Sequence, residues 1–298
     1  MVAADRSPEP VTRHQQRSRQ TFRAPVPGGH IGGWVEGEGT PVLLLHGGPG
    51  LSFEYMEPVA AELGPGRRVA SYQQRGLPPS TDAGPFSVER EILDAVAVLD
   101  ALGWPRAWIV GHSWGGHLLL HLARAVPERL HGGLAVDPLG GVADGGSAAF
   151  EAEMSARLLP VARARSEELD ERAMAGAGTE EEAVESMRLA WPAYFASPDD
   201  TLPFVAQRMS VPAYAGVYDS LVEELPLLEA ALPTIEVPLG FLAGGRSPMP
   251  HELAAGATAA AVPDAQLEVL ADAGHFPWHE RPGCVDAALR RLVHHAAR

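Results

Sequence analysis

The residues best suited to chemistry lie in the hexapeptide GHSWGG at 111–116. An apolar run ends just before this segment and another begins just after it, so its serine lies between a predicted strand and a predicted helix. Glycines allow a sharp bend there that lifts the serine hydroxyl out of the sheet, beside the free N–H groups that begin the helix. The pattern therefore predicts Ser113 as a nucleophile, although an ordinary glycine-rich junction can also contain a serine.

A second motif, HGGPG at 46–50, directly follows the apolar run at 41–45. A buried strand that enters a glycine turn leaves backbone N–H groups exposed at the strand end. Together with the N–H of Trp114, the N–H of Gly48 could hold the oxyanion of a tetrahedral intermediate. The alternative is a tight turn with no catalytic duty.

The third motif contains a histidine near the end of the chain, within DAGHFPW at 272–278. It follows a predicted strand, and of the twelve histidines it is the one on a strand-end loop after the serine. A general base that takes the proton of a serine is expected in such a loop. His275 is therefore the predicted general base.

These motifs, with Gln74-Arg75-Gly76 and the downstream Ser80, resemble the signatures of the α/β-hydrolase superfamily and, within it, of the prolyl iminopeptidase (proline aminopeptidase) group. The resemblance covers residues 20–140 and 232–298 and includes GHFPWHERP at 274–282. It implies an α/β-hydrolase fold and the release of an N-terminal proline or small residue from a peptide or amide.

Three positions depart from the pattern of that group. Gln73 replaces an aspartate and Pro78 replaces a glycine, which makes the loop after the fourth strand stiffer and less acidic. The most important departure is Ser247, because the resemblance would place the aspartate of the catalytic triad there. A histidine without its carboxylate loses tautomer control and charge stabilisation, which lowers kcat by roughly 10⁴ in comparable triads.

Asp137 is the predicted replacement for this missing acid. The predicted strand that follows the nucleophile helix ends at Asp137-Pro138. In a parallel sheet its carboxyl end opens on the same edge as the serine and histidine loops. The resemblance includes hydrolases, among them some haloalkane dehalogenases and lipases, that carry their acid there. Asp137 could instead be a turn residue, and Asp144 and Asp272 are alternative acids.

Apolar runs and turn residues predict strands that alternate with helices. Extended segments are predicted near 20–26, 30–36, 41–46, 67–73, 107–112, 132–137, 238–243 and 266–271, and helical segments near 53–63, 87–103, 115–127, 251–261 and 284–297. An initial β run followed by this alternation predicts an α/β protein with a mostly parallel, eight-stranded sheet and helices on both faces.

The chain is predicted to divide into a flexible tail at 1–20, an α/β-hydrolase core at 21–140 and 232–298, and a helical cap at 141–231. Cap helices are predicted near 147–164, 166–174 and 179–190, with later pieces after Pro198 and Pro203. The cap carries seventeen acidic residues and six arginines, so −11 of the net charge of −15 lies in it. This asymmetry marks the cap as a distinct unit.

The acidity of the predicted cap suits a substrate with a free amine, because a carboxylate near the pocket would hold an ammonium beside the scissile carbonyl. An acidic cap could equally serve solubility alone. Aromatic residues are also concentrated in this segment, and some of them could line a pocket above the nucleophile. The residues predicted to contact the substrate are Gly47, His112, Trp191, Tyr194 and Arg246.

Composition argues against several other classes of function. A net charge of −15 with scattered arginines argues against nucleic acid as a partner, and the lack of a long apolar stretch argues against a membrane span. The first twenty residues lack the apolar centre of a secretion signal, and the single cysteine, Cys284, cannot form an internal disulfide, so a cytoplasmic location is expected. His117 and His121 have metal-ligand spacing on a helix, but without a third ligand no metal site is predicted.

The sequence predicts a serine hydrolase that works through an acyl-enzyme and needs no cofactor. Its expected partner is a small-molecule or short-peptide substrate with a free N-terminus. The second hypothesis is an esterase, lactonase or C–C bond hydrolase that acts on a small apolar metabolite. The third is a non-hydrolytic binding scaffold or a lyase, because the usual acid is missing at Ser247.

Overall fold

The computed structural model describes residues 19–175, 177–197, 201–204 and 207–298, and for Met174 it describes the backbone only. The predicted tail at 1–20 lies outside these residues except for its last two positions, as does Pro198, after which further cap structure is predicted. The strands are β1 (Gln20–Val26), β2 (Gly29–Gly37), β3 (Thr40–Leu45), β4 (Arg67–Tyr72), β5 (Ala107–His112), β6 (Leu130–Val136), β7 (Leu239–Gly244) and β8 (Gln266–Leu270). The α-helices are α1 (Glu57–Leu63), α2 (Val88–Ala101), α3 (Trp114–Ala125), α4 (Ser147–Arg157), α5 (Pro160–Met174), α6 (Glu180–Ala190), α7 (Val211–Ala231), α8 (Ala257–Ala261), α9 (Pro277–Glu280) and α10 (Cys284–Ala296).

All eight strands form one sheet in the order β1-β2-β4-β3-β5-β6-β7-β8. β2 runs antiparallel to both of its neighbours, and the other neighbouring pairs are parallel. The predicted mostly parallel, eight-stranded sheet is therefore confirmed. Because β5, β6, β7 and β8 are parallel neighbours, their carboxyl ends open on one edge, where sheets of this kind bind ligands.

Alternate residues of the central strands pack on opposite faces of the sheet. On β3, Leu43 and Leu45 belong to the cluster that includes residues of α2, α3 and α7, whereas Val42 and Leu44 belong to the cluster that includes α1 and α10. All four side chains are fully buried. A strand covered on both faces has to be apolar throughout, which is why an uninterrupted apolar run predicts it.

The longest helix, α7, connects the segment between β6 and β7 back to the core. Its buried residues lie three or four positions apart, on one face of the helix: Ala213, Val217, Leu221, Leu225 and Leu228. Pro226 lies inside the helix without ending it. The stretch after Pro203, where a further piece is predicted, thus contains one helix over Val211–Ala231. Among the described helices, α7 included, none has both the length and the apolar character needed to cross a membrane.

The single helix predicted over 147–164 is also wrong, because α4 ends at Arg157 and α5 begins at Pro160. Leu159 between them has an extended backbone, with φ of −60° and ψ of 146°. A proline ring disfavours the helical conformation of the residue before it. Pro160 therefore separates the two helices and occupies the first position of the second, where its missing N–H does no harm.

Candidate active site

Three side chains from distant parts of the chain lie at the carboxyl edge of the sheet. Ser113 follows β5, Asp137 follows β6, and His275 lies in the loop after β8. The N–H of Ser113 donates to the carbonyl of Val136 at 3.0 Å, directly before Asp137. Asp137 and His275 are buried, whereas Ser113 is partly exposed.

Ser113 has φ of 54° and ψ of −120°, a backbone conformation that is rare for a residue with a side chain. The close packing of the neighbouring glycines shows how the chain adopts this conformation. A Cβ at Gly111 would lie 2.1 Å from the carbonyl oxygen of Gly115, and a Cβ at Gly115 would lie 2.2 Å from that of Leu45. Only glycine fits at these two positions, so the bend between β5 and α3 depends on the GHSWGG pattern.

Asp137 and His275 form a buried pair. Asp137 Oδ2 lies 2.5 Å from His275 Nδ1, and the two side chains are 1% and 3% exposed. An ionised carboxylate only accepts hydrogen bonds, so Nδ1 of the ring carries the proton. This leaves Nε2 of a neutral His275 able to accept a proton.

Further donors hold the carboxylate of Asp137. The N–H of Gly244 donates to Oδ1 at 2.8 Å, and the hydroxyl of Ser247 donates to Oδ2. The same hydroxyl accepts from the N–H of Met249 at 3.0 Å. Ser247, at the position where the resemblance would place the acid, thus supports the carboxylate that comes from the end of β6.

The two alternative acids have other partners. Asp144 lies just before α4, and its carboxylate accepts the N–H groups of Ala148 and Gly146, which lower its pKa. Asp272 forms an exposed ion pair with Arg281. Both carboxylates are therefore engaged away from the imidazole that Asp137 binds.

The turn at Gly47 and Gly48 passes directly beside the nucleophile. A Cβ at Gly47 would lie only 2.9 Å from the Cβ of Ser113. Within the described part of the chain, neither the N–H of Gly48 nor that of Trp114, the first residue of α3, donates a hydrogen bond. Two unpaired backbone donors on either side of a serine are the feature that an oxyanion hole requires.

Gln74, from the Gln-Arg-Gly segment, connects this turn to α3. Its side-chain amide donates to the carbonyl of His46 and accepts from the indole N–H of Trp114, both at 2.9 Å. Its backbone N–H donates to Nε2 of His46 at 3.0 Å. Burial lowers the pKa of His46 to about 4, so the neutral ring can accept this bond. The motif containing Gln74 is visible in the sequence, but its contacts are not.

Gly47 and His112, both predicted substrate contacts, bind other parts of the protein. The N–H of Gly47 donates to the hydroxyl of Tyr55 at 2.5 Å. His112 is buried, and its ring nitrogens bond Tyr55 and the carbonyl of His275, each at 2.9 Å. Burial lowers the pKa of His112 well below its usual value, with the nearby His275 contributing, so the ring is neutral. The structure places both residues in the framework behind the site.

Tyr194 and Trp191, predicted contacts from the cap, lie beside the His275 loop. The carbonyl of Tyr194 accepts the N–H of His275 at 2.8 Å, and the two ring centres are 5.3 Å apart. Trp191 packs on Phe276 with ring centres 5.0 Å apart, and its indole N–H donates to the carbonyl of Leu202 at 2.7 Å. Of these two predicted contacts, Tyr194 is therefore the one that lies beside the imidazole.

Arg246, the remaining predicted contact, has an exposed side chain. Its backbone is engaged: the N–H donates to the carbonyl of Ala273 at 2.9 Å, and its carbonyl accepts from Arg157 at 2.9 Å. The same guanidinium of Arg157 donates to the carbonyl of Ala193 at 3.1 Å. Arg157 thus ties α4 to the loop after β7 and to the aromatic segment around Tyr194.

Glu280 fastens the His275 loop to the same aromatic segment. Its carboxylate accepts the N–H of Gly274 at 2.5 Å and that of Ala196 at 2.8 Å. A Cβ at Gly274 would lie 2.5 Å from the carbonyl oxygen of Tyr194, so this close approach requires glycine. Sequence reasoning missed the role of Glu280, and its place inside GHFPWHERP is the signal that could have found it.

A carboxylate and a group of tyrosines lie on this side of the site. The pKa of Tyr194 is raised to about 12, mainly by burial and then by the nearby Tyr214 and Asp170. Asp170 lies on α5 and is exposed. Its carboxylate accepts from the hydroxyl of Ser186 at 3.3 Å, and after burial and Tyr214 it is a further cause of the raised pKa of Tyr194.

Within the described residues, no group of three or more histidine, cysteine, aspartate and glutamate side chains is arranged to hold a metal ion. The predicted non-ligands His117 and His121 bond each other, Nε2 to Nε2, at 3.1 Å. Nδ1 of His117 donates to the carbonyl of Gly140 at 3.0 Å. Burial lowers the pKa of both rings, to about 4 for His117, so they form a neutral pair inside the core.

Comparison with known proteins places these features in context. Residues 42–285 match the model of the alpha/beta hydrolase family. A Caulobacter segnis protein named as a carbamate hydrolase, RutD, is 39% identical over 103 residues, which are 34% of this chain and 38% of that protein. The proline iminopeptidase of Lactobacillus delbrueckii subsp. bulgaricus is 35% identical over 106 residues, or 32% of this chain and 35% of that enzyme. The matches thus span well under half the length of these relatives.

A solved structure extends the likeness over nearly the whole chain. The proline iminopeptidase of Mycobacterium smegmatis superposes with a TM-score of 0.64 at 21% identity, covering 93% of this chain and 98% of that one. At this identity the superposition shows a shared fold. The predicted α/β-hydrolase fold is confirmed, as is the predicted resemblance to proline iminopeptidases.

Proposed function

This chain belongs to the alpha/beta hydrolase family, and we propose that it is a serine hydrolase that works through an acyl-enzyme. The observation that carries the proposal is the buried contact of 2.5 Å between Asp137 and His275. It lies at the same sheet edge as Ser113, whose strained turn begins a helix. A carboxylate that orients a histidine beside such a serine is the arrangement that turns a hydroxyl into a nucleophile.

In the proposed reaction, Ser113 Oγ attacks the carbonyl carbon of the substrate while Nε2 of His275 takes the hydroxyl proton. Asp137 keeps the ring in the tautomer that accepts at Nε2, and it stabilises the imidazolium that forms. The N–H groups of Gly48 and Trp114 hold the oxyanion. The imidazolium then protonates the leaving amine or alcohol. Water, deprotonated by the same ring, finally releases the acyl group and restores the serine.

The acid at the end of β6 can serve this mechanism because its geometry is fixed. Gly244 and Ser247 each donate to one oxygen of Asp137, so the oxygen that faces His275 is held in place. Holding a group within a fraction of an ångström of its productive position is a main requirement of such sites. We therefore assign to Asp137 the role that the resemblance would give to position 247.

We further propose that the substrate carries a free amine, as an N-terminal proline or small aminoacyl group does. The residues at 141–231 have a formal charge of −11, and Asp170 contributes to the raised pKa of Tyr194, whose ring lies beside that of His275. An ammonium could pair with this carboxylate and lie over the face of a tyrosine ring. In this proposal the cap segment (residues 141–231) selects the substrate and the strand ends perform the chemistry.

Hydrolysis of an ester, lactone or C–C bond in a small apolar metabolite is the second candidate. The ring centre of Phe150 lies 6.0 Å from that of His275, and that of Tyr194 lies 5.3 Å away. Aromatic side chains beside the imidazole provide a surface that suits an apolar substrate without an amine.

Three model substrates separate these candidates: a proline arylamide, the same arylamide with an acetylated proline nitrogen, and a short-chain aryl ester. We expect kcat/KM for the free amine to exceed that of the acetylated control by at least roughly tenfold, the contribution of one charge-assisted contact. Turnover of the ester alone would support the second candidate. Failure of a fluorophosphonate to label Ser113 would contradict a serine hydrolase and leave the binding scaffold or lyase.

A further inference from the structure

The hydroxyl of Tyr55 lies between the oxyanion turn and the residue before the nucleophile. It is 2.5 Å from the backbone nitrogen of Gly47 and 2.9 Å from Nδ1 of His112. On the far side of the same ring, Nε2 of His112 is 2.9 Å from the carbonyl oxygen of His275. These contacts connect the loop after β3, the end of β5 and the loop after β8.

The direction of every hydrogen bond in this connection is fixed by chemistry. A carbonyl oxygen only accepts, so Nε2 of His112 carries the proton of the neutral ring. Nδ1 must then accept, and its donor is the hydroxyl of Tyr55, which in turn accepts from the N–H of Gly47. Burial raises the pKa of Tyr55 and lowers that of His112, so both groups keep the protonation state that this chain of bonds needs.

The sequence separation explains why such a connection matters. His275 lies 163 residues from His112 along the chain, and its other hydrogen bonds run to Asp137 and to the carbonyl of Tyr194. Gly47 immediately precedes Gly48, whose N–H is the proposed oxyanion donor. A displacement of about 1 Å at such a group can lower a rate by roughly 10².

We propose that Tyr55 and His112 are positioning residues, which hold the turn at Gly47 and the loop of His275 at a fixed distance on either side of Ser113. The inference rests on the proposed serine hydrolase function. Neither side chain touches the substrate: each acts through the backbone of a residue that does the chemistry or adjoins it. His112 thereby takes a role different from the substrate contact that the sequence predicts.

The packing around Tyr55 involves its ring, so a substitution can remove the hydroxyl and keep these contacts. The ring centre lies 5.9 Å from that of Phe276 and 6.3 Å from that of Trp278, against which it is stacked. Tyr55→Phe keeps these contacts and removes the hydroxyl alone. The N–H of Gly47 and Nδ1 of His112 then lose their shared partner, and the distance between the two loops is no longer fixed.

Tyr72→Phe is the matched control. Tyr72 is fully buried and Tyr55 is partly buried, but the hydroxyl of Tyr72 has no hydrogen-bond partner within the described residues. Both variants therefore remove one hydroxyl from the protein interior and keep the ring. We expect Tyr55→Phe to lower kcat and the rate of fluorophosphonate labelling by about tenfold or more, with KM changed much less. Tyr72→Phe should change none of these.

Two substitutions of His112 test the bond between its ring and the carbonyl of His275, and they remain informative if Tyr55→Phe folds poorly. Glutamine can place its amide nitrogen near the position of Nε2 and keep the bond to His275, whereas asparagine reaches only the position of Nδ1. We expect His112→Gln to retain more of the labelling rate than His112→Asn. Adding Tyr55→Phe to His112→Asn should slow the reaction little further, because residues that act as one unit are not additive.

The outcomes separate this inference from the proposed function. If the wild type is not labelled at Ser113, the serine hydrolase function fails and the positioning role fails with it. If the wild type is labelled and Tyr55→Phe reacts as fast as Tyr72→Phe, the positioning role alone is overturned. Equal rates for the two His112 variants, with full additivity in the double variant, would also overturn it.

Discussion

The strand ends and the cap segment are held together by different kinds of interaction. At the strand ends that carry the candidate site polar partners are buried: the side chains of Asp137 and His275, for example, are 1% and 3% exposed. In the cap segment the ion pairs lie on the surface, as in Arg172 and Glu182, whose side chains are 45% and 21% exposed. The helix α6 buries no residue at all among those described.

This difference suggests separate roles for the two regions, one in the chemical step and one in substrate binding. Each buried polar group at the strand ends must have a partner, so its geometry is fixed. Exposed ion pairs contribute about 0–1 kcal/mol each, so the cap segment is less constrained in shape and sequence. Substitutions at the strand ends should therefore change the rate of the chemical step, and substitutions in the cap segment should change the affinity for substrate.

The largest effect is expected for Ser113→Ala, which should lower kcat by roughly 10⁶, as in comparable triads. The reason is the loss of the nucleophile, with no loss of folding. Ser87→Ala is the control, because Ser87 caps α2 and its removal should lower stability by about 1 kcal/mol without changing kcat. Steady-state hydrolysis measures kcat, and urea unfolding measures the free energy of unfolding. Substantial activity in Ser113→Ala would contradict the claim that Ser113, at the strand ends, performs the chemical step.

Acid should destabilise the core through its buried histidines, whereas the cap segment contains no histidine. His46 and His117 have pKa values of about 4 in the folded protein, against 6.5 ordinarily, because they are buried. Between these pH values the unfolded chain binds protons that the folded chain does not, so stability is full above pH 6.5 and falls as the pH drops.

Urea unfolding at about pH 7.5 and pH 5 tests this expectation. We expect the free energy of unfolding to be lower at the acidic pH by on the order of a few kcal/mol. His117→Asn, which keeps a donor for the carbonyl of Gly140, should show a smaller decrease than the wild type. Equal unfolding free energies at the two pH values would mean that burial of these rings does not control stability.

The strand ends could be anticipated from sequence because their signals are local and their geometry is general. The glycines of 111–116 are required by contacts shorter than 3 Å, and a parallel sheet brings successive carboxyl ends to one edge. Those two facts suffice to bring Ser113 and Asp137 together. Tyr55 gave no such signal, since nothing near it in the chain indicates that its hydroxyl meets Gly47 and His112.

The cap segment was less predictable for a physical reason. Few of its helical positions are buried, so hydrophobic periodicity, the main signal for a helix, is weak there. Among the described side chains of α5, Leu169 is the buried apolar one, at 2% exposure. The stripe on α7 is an exception, yet Pro226 inside that helix interrupts the pattern that would predict it. The preference of Leu159 for an extended backbone before Pro160 can be read from the sequence, but the prediction of one helix over 147–164 overlooked it.

Asp170→Asn should have a moderate effect that is confined to binding. Loss of the carboxylate should raise KM for a substrate with a free amine by about fivefold, the effect of about 1 kcal/mol at an exposed ion pair, while kcat stays the same. Glu171→Gln, at the next position on α5, is the control and should behave as the wild type. A lower kcat in Asp170→Asn, or equal effects of both variants, would contradict the claim that Asp170 acts on substrate binding alone.

The smallest effect is expected at the start of α6. Thr179 accepts the N–H of Glu182 at 3.2 Å, and Glu182 accepts the N–H of Thr179 at 3.1 Å, which is a capping box. Thr179→Ala should destabilise α6 by about 1 kcal/mol. Amide hydrogen exchange in α6 should accelerate while kcat for an aryl ester stays constant. Slower hydrolysis in this variant would show that the chemistry depends on the cap segment.

The most direct test of the central claim, that β6 supplies the catalytic acid, is the second-order rate constant for fluorophosphonate labelling of Ser113. It needs no knowledge of the natural substrate, and mass spectrometry identifies the modified serine. Asp137→Asn should slow labelling by at least roughly 10², whereas Ser247→Ala, which removes one donor to the carboxylate, should slow it by less than about tenfold. Normal labelling of Asp137→Asn would contradict the assignment of the acid to Asp137.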